Sequence, residues 1–186
     1  AVAQQCVLEH GPSVSTTMIA DQIGISQAAL FKRFGTKENL IAQSLRMPLQ
    51  HHPVALLLKE GPSDAPIPVQ LVHIGLTTIQ MLRQVVPCMA MLHASGIDPH
   101  EDIPLDAEPA VQGRRLMTGW FQRAIDDGRI RGKDPHILAV GFLGMLHARP
   151  FREVIIGDDE LKCTDEAYIK ELVDTMWSGI APKESQ

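Results

Sequence analysis

Apolar residues recur along the chain at steps of three and four, and no stretch alternates strictly for the length of a strand, so the pattern predicts an all-α fold. Val2, Ala3, Cys6 and Val7 mark one face of a first helix that stops at Gly11-Pro12, where proline cannot continue it. A second helix opens at Ser15-Thr16-Thr17, whose hydroxyls cap free backbone N–H groups; it buries Ile19, Ala20 and Ile23 and ends at Gly24. Ser26 caps a third, in which Leu30 and Phe34, spaced i,i+4, turn back onto the first two. Three short helices around one core are expected, with Thr36 capping the next.

Pro48 and Pro53 then break the helical pattern and divide the chain into residues 1–47 and 48–186. Loops are expected at residues 60–64, 95–99 and 126–128. A long helix over about residues 68–85 carries Leu71, Ile74, Leu76, Ile79 and Leu82, and Met89, Met91, Leu92 and His93 lie on a separate, shorter one. Another, over about 110–125, spaces Met117, Trp120 or Phe121, and Ala124 at helical intervals. Residues 137–146 are apolar almost all round, with Gly141 and Gly144 permitting close helix approach, so this helix is expected to be buried on more than one side. Tyr168, Leu172, Val173, Met176 and Trp177 mark the last helix.

At 186 residues, 45% hydrophobic and 21% charged, the chain has the composition of a folded globular protein rather than a disordered one. With only 4% aromatics its core must be mostly aliphatic. The longest uncharged stretch, residues 65–82, holds two prolines, two glutamines, His73 and paired threonines, so no transmembrane helix is expected. Nothing from Ala1 onward reads as a secretory leader. Three scattered cysteines, Cys6, Cys88 and Cys163, fit a reducing cytoplasm better than a disulfide framework.

The chemistry lies on the outward face of the third helix. Gln27, Ala28, Phe31 and Lys32 fall at i, i+1, i+4 and i+5 and form one stripe. Its makeup suits a DNA major groove: glutamine pairs with adenine, alanine and phenylalanine touch thymine methyls, and lysine reaches a phosphate or guanine. The alternative is that Phe31 packs on a later part of the chain and the polar pair is plain surface. Lys37 sits in the first turn after the Thr36 cap, where the helix dipole disfavours a cation, so a phosphate held there by both would compensate. A solvated lysine balanced by Glu38 is the alternative. The formal net charge of −5 does not oppose DNA binding, because its distribution is uneven. Residues 1–47 hold four basic and three acidic residues, a balance of +1, whereas residues 48–186 hold thirteen and nineteen, a balance of −6.

Thr16-Thr17, Ile19-Ala20, Gly24-Ile25-Ser26, Leu30-Phe31, Phe34 and the run Thr36 to Leu40 together resemble the DNA-binding domain of the TetR family of bacterial transcriptional regulators. The resemblance covers about the first quarter of the chain. It implies phosphate contacts from Thr16, Thr17 and Lys37, and groove contacts from Ser26, Gln27, Ala28, Phe31 and Lys32. Two departures matter: Phe31 stands where family members usually carry tyrosine, and from Ala1 onward no basic arm that would reach the minor groove is in view. The resemblance further implies a homodimer, built as a four-helix bundle from the last two helices, with Leu138, Gly141, Met145, Leu172 and Met176 as interface residues. An ordinary buried core helix is the alternative for residues 137–146. Two recognition helices related by a two-fold axis imply a palindromic double-stranded operator.

For residues 48–186, an adaptable apolar pocket is expected from His73, Met81, Met89, His93, Met117, Trp120, Phe121 and Phe142, taking an unknown small-molecule effector, although plain core is the alternative for each. Met91, Met145 and His147 are further candidates. The histidines and Cys88 are not read as a metal site, and His51-His52 point in different directions on a helix. No phosphate loop, nucleophile elbow or paired metal motif appears, so neither catalysis nor a cofactor is expected. The expected function is a cytoplasmic, ligand-responsive transcriptional regulator, most often a repressor in such a family. The rival is a helix-turn-helix protein without an effector, acting through protein partners or on the nucleoid.

Overall fold

The computed structural model describes residues 2–47, 52–101, 103–131, 134–157 and 162–182, and the regular elements among them are all helical. α1 (Val2–His10) runs into a 3-10 turn at Gly11–Ser13, followed by α2 (Thr16–Ile23), α3 (Gln27–Phe34) and α4 (Lys37–Leu45). Then come α5 (Pro53–Glu60), α6 (Ile67–Ala94), α7 (Pro109–Asp126), α8 (Pro135–Phe151) with a π-helical turn at Arg152–Ile156, and α9 (Asp165–Ile180). Each of the expected caps forms: Ser15, Ser26 and Thr36 accept from the backbone N–H of Met18, Ala29 and Asn39 at 3.3, 3.1 and 3.1 Å. Gly24 takes a φ of +79°, the left-handed conformation that lets α2 stop and α3 leave at an angle. The break at Pro48 and the residue His51 lie outside the described residues.

Two apolar cores result. The smaller joins Cys6, Val7, Ile19, Ala20, Leu30, Leu40 and Ile41 to Cys88 and Leu92 of α6. The larger gathers Leu71, Ile74, Ile79 and Leu82 of α6 with residues of α5, α7, α8 and α9. Ile23, expected in the smaller core, is 41% exposed, because the whole turn, residues 21–29, stands out from it.

Two further expectations are corrected. Residues 68–85 and 89–93 are not separate helices but parts of the single 28-residue α6, with Pro87 inside it. Proline cannot donate to the carbonyl of Arg83, but the two turns beyond it are held by burial of Cys88 and Leu92 in the smaller core, so tertiary packing overrides the break. Thus α6 passes through both cores. In α8 only one side is buried, through Ala139, Phe142 and Leu146, while Ile137 and Val140 stay 64% and 46% exposed. Neither Gly141 nor Gly144 has a neighbour within 4 Å of where a side chain would begin, so they serve no close approach inside this chain.

One polar cluster ties α6 to the C-terminal helices. The Arg83 guanidinium donates to Asp165 at 2.9 and 2.7 Å and to Glu153, and Arg149 reaches Glu153 at 3.0 Å and Asp165 at 3.3 Å. Two cations thus face two carboxylates. Hydrogen bonding from Arg83 holds the Asp165 carboxyl below the usual carboxylate range. Arg149, only 6% exposed, also lies over the Tyr168 ring, whose hydroxyl donates to the Met145 carbonyl at 2.8 Å.

Candidate nucleic-acid interface and internal cavity

α2 and α3 form a helix-turn-helix. Burial of Ile19, Ala20 and Leu30 fixes the inner faces, which forces the opposite face of α3 outward. There Ser26, Gln27, Ala28, Phe31 and Lys32 are all exposed, with Phe31 at 37%. The alternative in which Phe31 packs on a later segment does not hold within this chain. Thr17 is exposed, and Thr16 and Lys37 are half-buried at the starts of α2 and α4. Five of these residues lie at the start and on the outward face of α3, and Thr16, Thr17 and Lys37 lie at the N-termini of α2 and α4, whose N–H groups favour anions.

Gln27 differs from the sequence expectation in one respect. Its amide donates to the Thr16 hydroxyl at 2.8 Å, tying the start of α3 to the start of α2. A two-bond pairing with adenine requires that bond to be exchanged. The Ser26 hydroxyl accepts the Ala29 N–H and keeps its own proton to donate outward.

The chain also encloses a cavity of about 1060 Å³. Val54 and Leu58 of α5 line it, with Met81, Leu82, Val86 and Met89 of α6, Leu116 of α7 and Leu143 of α8. Its wall is completed by the N-terminal unit itself, through Gln4 and Leu8 of α1 and Leu45 of α4. Of the expected pocket residues, Met81, Met89 and His93 line it, as does His147. Met117, Trp120, Phe121 and Phe142 do not: they are at most 1% exposed in the larger core. There Phe121 meets Trp120 and Phe142 edge-to-face at 5.5 and 6.3 Å. Large rings are drawn to the crossing of α7 and α8 because they bury the most area there. His73 is exposed and away from the cavity. Cys88 is core, its thiol pushed up to about 12 by burial.

The cavity histidines have assigned orientations. His93 and His147 each place Nδ1 at 2.7 Å from the carbonyl four residues earlier, of Met89 and Leu143. A carbonyl only accepts, so Nδ1 holds the proton and Nε2 of the neutral ring is left to accept from a guest. His100 instead pairs with Glu108 at 2.8 Å.

Sequence reasoning missed several wall residues, among them Gln4, Leu8 and Leu45, whose apolar spacing reads as ordinary core. It also missed Arg46, whose guanidinium donates to the carbonyls of Pro99 and Asp98 at 2.9 and 2.7 Å and so fastens the end of α4 to the loop after α6. Pro99 and His100 of that loop line the cavity. Arg149 lies beyond the apolar run at residues 137–146, and its partner Asp165 is on α9, so nothing local marked it.

A three-helix unit whose third helix is capped and exposed is the geometry of a helix-turn-helix domain. Residues 1–43 match the model of the bacterial regulatory proteins of the tetR family. The whole chain resembles solved structures at low identity. A TetR transcriptional regulator, SCO0520 from Streptomyces coelicolor, is 20% identical with a TM-score of 0.59, over 98% of this chain and 96% of that one. A putative TetR-family regulator from Mesorhizobium loti is 16% identical with a TM-score of 0.58, over 97% and 93%. A protein of unknown function from Rhodococcus sp. RHA1 is 17% identical with a TM-score of 0.60, over 97% and 96%. No curated protein matches by sequence. Residues 1–43 thus match the TetR-type DNA-binding domain, and the chain as a whole shares the fold of these structures. Among the described residues, no helix is long and apolar enough to cross a membrane.

Proposed function

We propose that this protein is a homodimeric, effector-responsive repressor acting in the bacterial cytoplasm, released from a palindromic operator by a small, largely apolar molecule. Residues 1–47 serve as the DNA-binding unit and 48–186 as the effector-binding and dimerising unit, with a binding role rather than a catalytic one. Thr16, Thr17 and Lys37 take phosphates, and Ser26, Gln27, Ala28, Phe31 and Lys32 face the groove. The observation that carries the reading is a cavity whose wall includes residues of the DNA-binding unit: Gln4, Leu8 and Leu45. A guest that fills it bears directly on α1 and α4. If it fits better in a spacing of recognition helices that DNA does not accept, it weakens operator binding, and operator binding weakens its affinity equally. Coupling of this kind is worth ~1 to 3 kcal/mol, about 5- to 150-fold.

The open side of α8 supports the dimer. Exposed Ile137, Val140, Gly141 and Gly144 form an apolar strip on which a second copy's backbone can close, beside half-buried Leu138, Met145, Leu172 and Met176.

Selection of bound sequences from a random duplex pool at fixed salt, with sizing of the complex, tests this. A palindromic consensus bound by two or four subunits is expected, and Lys37→Ala should lower the salt slope by about one. An unenriched pool, or a site bound by one subunit, overturns the reading. A regulator without an effector would bind the site but respond to no small molecule.

A further inference from the structure

The charge on the cavity wall is opposite in sign to that of the region that builds it. Residues 48–186 carry a balance of −6, yet the wall holds Lys59, Arg114 and Arg115 against a single carboxylate among the described residues, Glu108. That carboxylate already faces His100 at 2.8 Å. Among the described residues Arg114 donates its guanidinium to no protein acceptor, while Arg115 reaches only the Asp106 carbonyl, at 3.3 Å. α7 opens onto the same space at Pro109 and Ala110, with Glu108 as its N-cap residue making no side-chain bond to the first turn. Much of the remaining wall, from Val54 and Leu58 through Met81 and Leu82 to Leu143, is apolar.

Resting on the reading that this cavity takes the effector, we propose that the effector is an amphipathic anion. Its carboxylate or phosphate head pairs with Arg114 and Arg115, and its apolar body lies along α5, α6 and α8. A cationic guest meets like charge. A neutral apolar guest removes water from the guanidinium groups without giving them an acceptor. An anion satisfies both demands, because the guanidinium fork binds a carboxylate or phosphate through two parallel hydrogen bonds.

The test is equilibrium binding of four probes of equal chain length to the full chain: dodecanoate, dodecyl phosphate, dodecanol and dodecylamine, each below its micelle-forming concentration. The better of the two anions should bind about 10- to 100-fold tighter than dodecanol, and dodecylamine weakest. Preference between carboxylate and phosphate identifies the head. Arg114→Gln should bring the anion and alcohol affinities together while leaving dodecanol binding unchanged, and Arg115→Gln gives a second, independent readout. Equal or tighter binding of dodecanol or dodecylamine in the wild-type chain overturns the anionic assignment but leaves an effector cavity in place. If none of the four binds, the proposal fails, and if the selected operator also responds to no small molecule, the effector reading fails with it.

Discussion

Gly75 lies in the middle of α6 where that helix crosses α9, and replacing it with alanine makes the packing argument measurable. A Cβ built there comes to 2.7 Å from Ile169 Cγ2 and 3.5 Å from Leu146 Cδ2. The first is about 1 Å inside the ~3.5 to 4.0 Å at which carbon atoms rest in contact. Ile169, Leu146 and Val173 are fully buried, so the methyl has nowhere to go unless α6 and α9 separate. Overpacking of this kind costs ~1 to 3 kcal/mol. Against it stands the gain of roughly 1 kcal/mol when alanine replaces glycine inside a helix. Gly75→Ala should therefore be destabilising by a net 0 to ~2 kcal/mol, as the two estimates combine. Ile169→Ala alone should cost ~2 to 5 kcal/mol by opening a void, and in the double variant the new methyl should recover part of it. Urea denaturation of the four proteins at one concentration closes the cycle, with coupling of ~0.5 kcal/mol or more expected for residues in contact. Stabilisation of Gly75→Ala by the full helix gain, or strict additivity with Ile169→Ala, would refute the close crossing.

Other substitutions address the remaining parts of the argument. Gly144→Ala meets open space within the chain, so the single chain should gain up to ~1 kcal/mol, while a partner seated on α8 should be pushed off. Sedimentation equilibrium should show weaker self-association, and higher stability with unchanged association would place that face in solvent. Arg46→Met removes two hydrogen bonds from a cation 27% exposed, at a cost of about 1 to 2 kcal/mol after allowance for screening. Amide exchange should quicken in residues 98–101 and the last turn of α4, and unchanged exchange there would mean that Arg46 fastens nothing. Burial holds the His52 imidazole below its ordinary value, and its Nδ1 accepts the Val54 N–H at 3.3 Å, which a protonated ring cannot do. The unfolded ring therefore takes its proton first as pH falls. The stability His52 contributes is present above the ordinary histidine value and is lost below it, through the lowered folded value. His52→Asn, which keeps a capping acceptor, should flatten the decline of the denaturation midpoint between about pH 7 and 5, and an unaltered slope would remove the assignment.

The helix-turn-helix was legible because its determinants are local. Ser15, Ser26 and Thr36 cap helices within three residues of themselves, Gly24 supplies a left-handed turn, and Ile19, Ala20 and Leu30 set the inner face. Once that face is buried, the outward stripe from Gln27 to Lys32 follows from helix geometry alone. The larger part was legible only as helices. Periodicity assigned Trp120, Phe121 and Phe142 an apolar environment, but core and cavity wall demand the same residue types, and the choice depends on how three helices cross.

Amino-acid order alone therefore determined the all-α class, the capped helix-turn-helix unit and the exposed face of its α3, and the placing of acidity in the C-terminal part. Only the tertiary structure decided that Pro87 would sit inside one continuous helix, that α8 would leave one side open, that Arg46 and Arg83 would find partners more than fifty residues away, and that Arg149 would reach Asp165 of α9. It also decided that Lys59, Arg114 and Arg115 would share a cavity with α1 and α4. The physical reason is range: caps, turns and helix faces are fixed by neighbours within about one or two turns, whereas packing partners and enclosed space are properties of how whole helices come together.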